Sequence, residues 1–246
     1  MDHYIGLIAA YAVVTCLRLG LLRLKPELIP VPALQPCSYP GRELVYLVLT
    51  VVVIIGIGQF YTAGMLLPRT ANWEWLTEAL NQVFIFSPVL LFLLLIKPAP
   101  VSLYLVHEQL GQRFALGLGL ALCALIVFWL ATPADLNIVQ LLGPLSDPDN
   151  LDFPVQVFFE DLLIAMFLAR CSQLISPRWT IVLVASLFAA AHIPAFLAQG
   201  DAPAELLSLL ADTALGIMVL GSIILTRDFI WIFPVHVVMD STQLHF

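Results

Sequence analysis

Apolar runs of about 18 residues or more recur along the whole chain, which is the length a helix needs to cross roughly 30 Å of hydrocarbon. One soluble core could not absorb so many. In lipid every backbone N–H and C=O must be satisfied within its own element, so such runs read as helices rather than open sheet. Composition agrees: of 246 residues, 61% are hydrophobic and only 11% are charged, outside the range of ordinary soluble domains. We therefore expect an all-α integral membrane protein, a single domain over residues 1–246 built as a bundle of about eight transmembrane helices.

The spans read as about 4 to 24, 44 to 67, 77 to 96, 114 to 132, 155 to 175, 179 to 198, 204 to 226 and 229 to 245. Proline- and glycine-bearing stretches separate them: Lys25 to Pro40, Lys97 to Pro100, Pro133 to Pro154, Pro177, and Gly200 to Pro203. The N-terminus lacks a basic start and a convincing cleavage site, so it is expected to stay as the first helix.

Basic residues test this count, because Lys and Arg accumulate in short cytoplasmic loops. Arg23, Lys25, Arg42, Lys97, Arg113, Arg170, Arg178 and Arg227 flank odd-numbered loops, and Arg69 alone falls in an even-numbered one. The bias predicts both termini outside, with the acidic loop of Asp135, Asp147, Asp149 and Asp152 on the same outer face. A bacterial inner membrane suits such a compact chain. Arg18, inside the first span, is expected to snorkel to the inner interface. Val101 to Leu110 could lie on that inner surface as a short amphipathic helix with a solvated His107.

The formal net charge of -7 comes with no basic patch, so no nucleic-acid partner is indicated. Cys16, Cys37, Cys123 and Cys171 are scattered without CxxC spacing and read as packing residues rather than a redox or metal motif.

Polar pairs inside the later spans are the functional signal. An ionisable group at bilayer depth costs roughly 2.5 to 3.5 kcal/mol on insertion scales, so a cluster on separate helices marks a site by default. Glu160 and Asp161 are adjacent on span five and point roughly 100° apart, so one can line a cavity while the other braces it. Phe188 and His192 are four apart on span six, on one helical face, separated by three alanines that let another helix approach. His236 and Asp240 are likewise four apart on span eight, where Asp240 can fix the ring's tautomer. At the depth of these groups, Asp212 on span seven is a candidate supporting partner.

If the site held a divalent metal such as zinc, Glu160, His192, His236 and Asp240 would be its ligands. No HExxH, paired cysteines or other closed ligand motif accompanies them, so no cofactor is assigned.

From Val155 to Ser241 the chain resembles the CPBP intramembrane proteases, also called the CAAX prenyl protease 2 or Abi family. That family carries a Glu-Glu-xxx-Arg motif, then Phe-xxx-His, then His-xxx-Asn or Asp on successive core helices. Ser186-Leu-Phe-Ala-Ala-Ala-His192-Ile-Pro194 matches the second motif. Gly216-Ile-Met-Val-Leu-Gly221, Thr226 and His236-Val-Val-Met-Asp240 match the third region. The first motif departs: Glu160-Asp161-Leu-Leu-Ile-Ala165 shortens the second acid and replaces the Arg by Ala165. Arg170, ten residues beyond Glu160, does not stand in for it.

The resemblance implies an intramembrane endopeptidase in which Glu160 and His192 activate water, with His236 and Asp240 on the oxyanion side and Asp161, Phe188 and Asp212 in support. An ionised Asp240 would repel an oxyanion, so it must be protonated, pair with His236 or act indirectly. The substrate would be an exported peptide or a membrane-protein segment, because the inferred site lies toward the outer face. Two other classes remain open. One is an inactive membrane scaffold or immunity-type protein, suggested by Ala165; the other is a proton-coupled transporter, for which no inverted repeat is apparent.

Overall fold

A computed structural model describes residues 2–33, 35–68, 74–132, 137–147, 150, 152–193 and 208–243. Among these residues the secondary structure is entirely helical: α1 (Asp2–Leu24), α2 (Pro40–Thr62), α3 (Glu74–Ile85), α4 (Ser87–Ile96), a 3-10 turn (Pro100–Leu103), α5 (Leu110–Ala131), α6 (Ile138–Ser146), α7 (Asp152–Cys171), α8 (Pro177–Ala191), α9 (Ser208–Thr226) and α10 (Ile232–Gln243). The all-α expectation holds.

Local chemistry sets several of these boundaries. Proline opens α2, α4 and α8, where its missing N–H costs nothing because that donor has no intrahelical partner. The proline next to Ser87 has the same effect inside the third predicted span, which breaks into α3 and α4 with a 48° bend. Helix α6 lies in a stretch expected to be loop. It is nucleated by a capping box, in which the Asn137 side chain accepts from Gln140 N and the Gln140 side chain accepts from Asn137 N.

Among the described residues four helical segments are long and apolar enough to cross a membrane: Tyr4–Leu24, Pro40–Thr62, Leu110–Ala131 and Leu209–Thr226. The bent α3–α4 pair makes a fifth if counted as one span. Helix α7 has the length, at 20 residues, but carries Asp152, Glu160, Asp161 and Arg170. Helices α8 and α10, at 15 and 12 residues, are shorter than a full crossing.

Long-range bonds fix how the helix ends meet. Arg113, at the start of α5, ion-pairs with Asp228 just before α10 at 2.6 Å and donates to the Pro30 carbonyl beyond α1. Arg170, at the end of α7, reaches Glu43 at the start of α2 at 2.8 Å and the Ser102 carbonyl at 2.7 Å. Arg227 donates to the Pro32 carbonyl. Arg113, Arg170 and Arg227 thus tie helix ends and connecting segments to one another. Helices α5 and α10 touch at Gly117, where a β-carbon would stand 2.6 Å from the Trp231 carbonyl oxygen.

Two sequence expectations are corrected. Arg18 does not snorkel: it is 1% exposed, its guanidinium lies 6.0 Å from the Trp231 ring centroid, and its three nitrogens have no hydrogen-bond partner. The α1 face that bears it packs inward against α5 and α9, which removes any path to the surface. The segment from Val101 to Leu110 is not a surface helix, because Val101, Ser102, Leu103 and Tyr104 are buried and bonded into the α2–α7 junction. His107 is solvated as expected, beside Glu108. The positions of Arg69, Asp135, Asp149, Pro194 and Gly200 to Pro203 lie outside the described residues.

Candidate active site

Residues from five helices line a cavity of about 400 Å³. Its lining includes Glu160, Asp161, Phe188, His192, Asp212, His236 and Asp240, so every site residue expected from sequence comes to one chamber. The placement follows from helix register. Glu160 and Asp161 lie in the first half of α7, Phe188 and His192 at the end of α8, Asp212 in the first turns of α9, and His236 and Asp240 in the later turns of α10. Close approach at Gly216, where a β-carbon would stand 3.1 Å from that of Ala185, seats α9 against α8.

Aromatic rings brace the acidic turn of α7. Phe159 stacks on Phe86 with centroids 5.6 Å apart, and Phe158 meets Phe233 edge-on at 5.7 Å. Phe86, the last residue before Ser87, thus braces the turn of α7 that precedes Glu160 through Phe159.

The two adjacent acids do divide the work. Glu160 Oε1 accepts from Gln156 Nε2 at 2.8 Å, while Oε2 makes no hydrogen bond among the described residues and is not sealed in the core. Asp161 turns instead to α10, where its Oδ1 stands 2.8 Å from His236 Nδ1. The tautomer of His236 is therefore fixed across helices by Asp161. Asp240, four residues along the same helix, faces the other ring nitrogen, Nε2, at 3.4 Å. This corrects the sequence expectation, which gave the orienting role to Asp240 because spacing reveals only same-helix neighbours.

Proton bookkeeping constrains this trio. If both carboxylates are ionised, both ring nitrogens must carry protons; if the ring is neutral, one nitrogen meets its acid only when that acid is protonated. Either way, one protonation state is shared among His236 and its two acids.

His192 caps the end of α8, its Nδ1 lying 3.0 Å from the Phe188 carbonyl. A carbonyl only accepts, so Nδ1 donates and Nε2 is left as the basic nitrogen, with no protein partner among the described residues. The Phe188 ring lies edge-on to His192 at 4.9 Å and to His236 at 6.4 Å, filling the space between the two imidazoles. Asp212 lines the wall opposite.

Arg170 is excluded from the site. It lies about 15 Å along the α7 axis from Glu160 and is held by Glu43 and Ser102. Ala165 is fully buried and does not line the cavity.

The residues do not fit the four-ligand metal set. Among the described residues no three His, Cys, Asp or Glu side chains are placed to hold a metal ion. Both nitrogens of His236 already face carboxylates, leaving it no lone pair to offer. No step is derived through a metal.

Sequence reasoning missed Tyr4, Leu7 and Tyr11, which bring α1 into the cavity wall. Their spacing of three and four residues marks one helical face, but an apolar face on a first span reads simply as packing. Comparison with family models, with curated proteins and with solved structures finds no match for the chain.

Proposed function

We propose that this protein is an intramembrane endopeptidase that hydrolyses a peptide bond of a membrane-associated or exported substrate. The observation that carries the reading is the convergence of Glu160, His192 and the Asp161–His236 pair, from three helices, on one chamber. The likeness of the second and third motifs to those of the CPBP proteases supports the same chemistry.

In this reading water gives a proton to Glu160 Oε2 or His192 Nε2 while its oxygen bonds the scissile carbonyl carbon. The C–N bond then breaks and the stored proton passes to the departing amine. His236, whose two nitrogens face Asp161 and Asp240, braces the oxyanion side of the chamber without itself donating to the carbonyl oxygen. No direct ion pair joins Glu160 to His192 among the described residues, which leaves space for a nucleophile between them. Among the described residues no serine or cysteine lines the cavity, so an acyl-enzyme finds no nucleophile among them.

The reading includes a topology of eight crossings, with α3 and α4 counted as one and α7, α8 and α10 completing the bundle. The loops with most of the basic residues face the cytoplasm of a bacterial inner membrane, and both termini lie outside. The test is cleavage of a peptide library by purified protein in nanodiscs. Glu160→Gln and His192→Ala should each lower the rate by about 100-fold or more, with melting temperature unchanged. Folded variants that cut as fast as the parent would refute the assignment.

A second reading is favoured by Ala165 and by the Gln156 amide that occupies one oxygen of Glu160: a docking chamber for a partner helix without catalysis. It requires that the biological phenotype survive Glu160→Gln, which preserves shape and removes the base.

A further inference from the structure

The chamber is rich in acids and poor in donors. Glu160, Asp161, Asp212 and Asp240 all line it, and an ionised carboxylate can only accept. His236 offers its nitrogens to Asp161 and Asp240, and His192 commits Nδ1 to a backbone carbonyl. A carbonyl oxygen that gains negative charge here would meet repulsion on most sides unless a further neutral donor faces it.

Tyr11 is placed to be that donor. It is 8% exposed, yet it lines the cavity from α1. Its hydroxyl has no hydrogen-bond partner among the described residues and is not among the atoms sealed in the core, so it is open to the chamber. Asp161, Asp212 and Asp240 line the same cavity, so the phenol shares one chamber with these acids. Buried hydroxyls are nearly always bonded. A free one facing a cavity is satisfied by whatever enters.

We propose that Tyr11 is a catalytic residue of this site, whose hydroxyl donates a hydrogen bond to the scissile carbonyl oxygen of a bound peptide and to the tetrahedral oxyanion that follows. The inference rests on the hydrolytic reading and adds α1 to the machinery. It also removes the need for Asp240 to donate, leaving that acid to its contact with His236. No proton leaves Tyr11: the phenol keeps its O–H bond throughout, and the transferred proton travels by Glu160, His192 and the departing amine.

The test uses the full chain in nanodiscs, with Tyr11→Phe and with 3,5-difluorotyrosine incorporated at position 11. In peptide cleavage, Tyr11→Phe should lower kcat by about 100-fold with KM changed less than about threefold, as for loss of one oxyanion donor. The fluorinated residue should restore turnover and move the alkaline limb of the pH–rate profile to lower pH, which a packing role would not do. Equal loss with fluorotyrosine, or unchanged kcat in Tyr11→Phe, overturns the proposal.

A binding arm separates this failure from that of the hydrolytic reading. Leucine-flanked phosphinic pseudopeptides, which present a tetrahedral anionic oxygen, should bind parent about tenfold or more tighter than Tyr11→Phe. They should also shift the fluorine resonance of the labelled residue. Binding and shift without cleavage would sink the peptidase and keep the donor; cleavage without the shift or the affinity loss would sink the donor and keep the peptidase. Neither cleavage nor binding by the parent would overturn both.

Discussion

Asp161 and His236, 75 positions apart in the chain, meet across α7 and α10 with Oδ1 and Nδ1 2.8 Å apart. Asp161→Asn preserves the size of the side chain but offers an amide in place of a carboxylate, so the ring loses its fixed tautomer. Cleavage should fall by about 100-fold, and the nitrogen-15 spectrum of His236 should change its tautomer signature. An unaltered spectrum would show that Asp161 does not orient the ring.

Arg113 and Asp228 are 2% and 0% exposed, so each is costly without the other. Arg113→Met alone should destabilise by about 3 to 5 kcal/mol by stranding the carboxylate, while the double change with Asp228→Leu should recover most of that loss. Unfolding in mild detergent gives the double-mutant cycle directly. A double variant no better than the single would contradict a paired role.

Gly117→Ala places a methyl group against the carbonyl of Trp231. Backbone on both sides cannot rotate away, so α10 must shift relative to α5. Stability should drop by about 1 to 3 kcal/mol, and peptide cleavage should fall with it because His236 is one helical turn beyond that contact. Labelled α5 and α10 showing an unchanged spacing by electron spin resonance would argue against this coupling.

Single cysteines at positions 145 and 107 test sidedness. Leu145, on α6, and His107, between the 3-10 turn and α5, are both exposed. A membrane-impermeant maleimide added to right-side-out cells should label position 145 and spare position 107. The native Cys37 should react slowly with maleimide, because burial and its hydrogen bond to Glu43 push the thiol up from its ordinary value.

The helices were legible because each apolar run has a length and a stop, and the motif residues because polar groups stand out against lipid-soluble neighbours. What sequence could not supply was contact between distant segments. Four-residue spacing joined His236 to Asp240, yet the shorter contact is to Asp161 on another helix. Tyr11 was hidden by its type, since a tyrosine in an apolar span carries no mark of which wall it lines. Helix α6 was hidden by length: at nine residues its amphipathic period is too brief to separate from a loop, and only the Asn137–Gln140 exchange announces it. Arg170, set aside from the site on helical geometry alone, does lie elsewhere.

The burial of Arg18 imposes an order on biogenesis. Helix α1 is synthesised before the segment that carries the Trp231 ring over its guanidinium, more than 200 residues later. Until that segment arrives, an α1 in a bilayer should hold Arg18 toward water at the membrane surface and settle short of its final depth. Chains truncated before Trp231 should therefore leave α1 loosely seated and exposed to quality-control proteolysis.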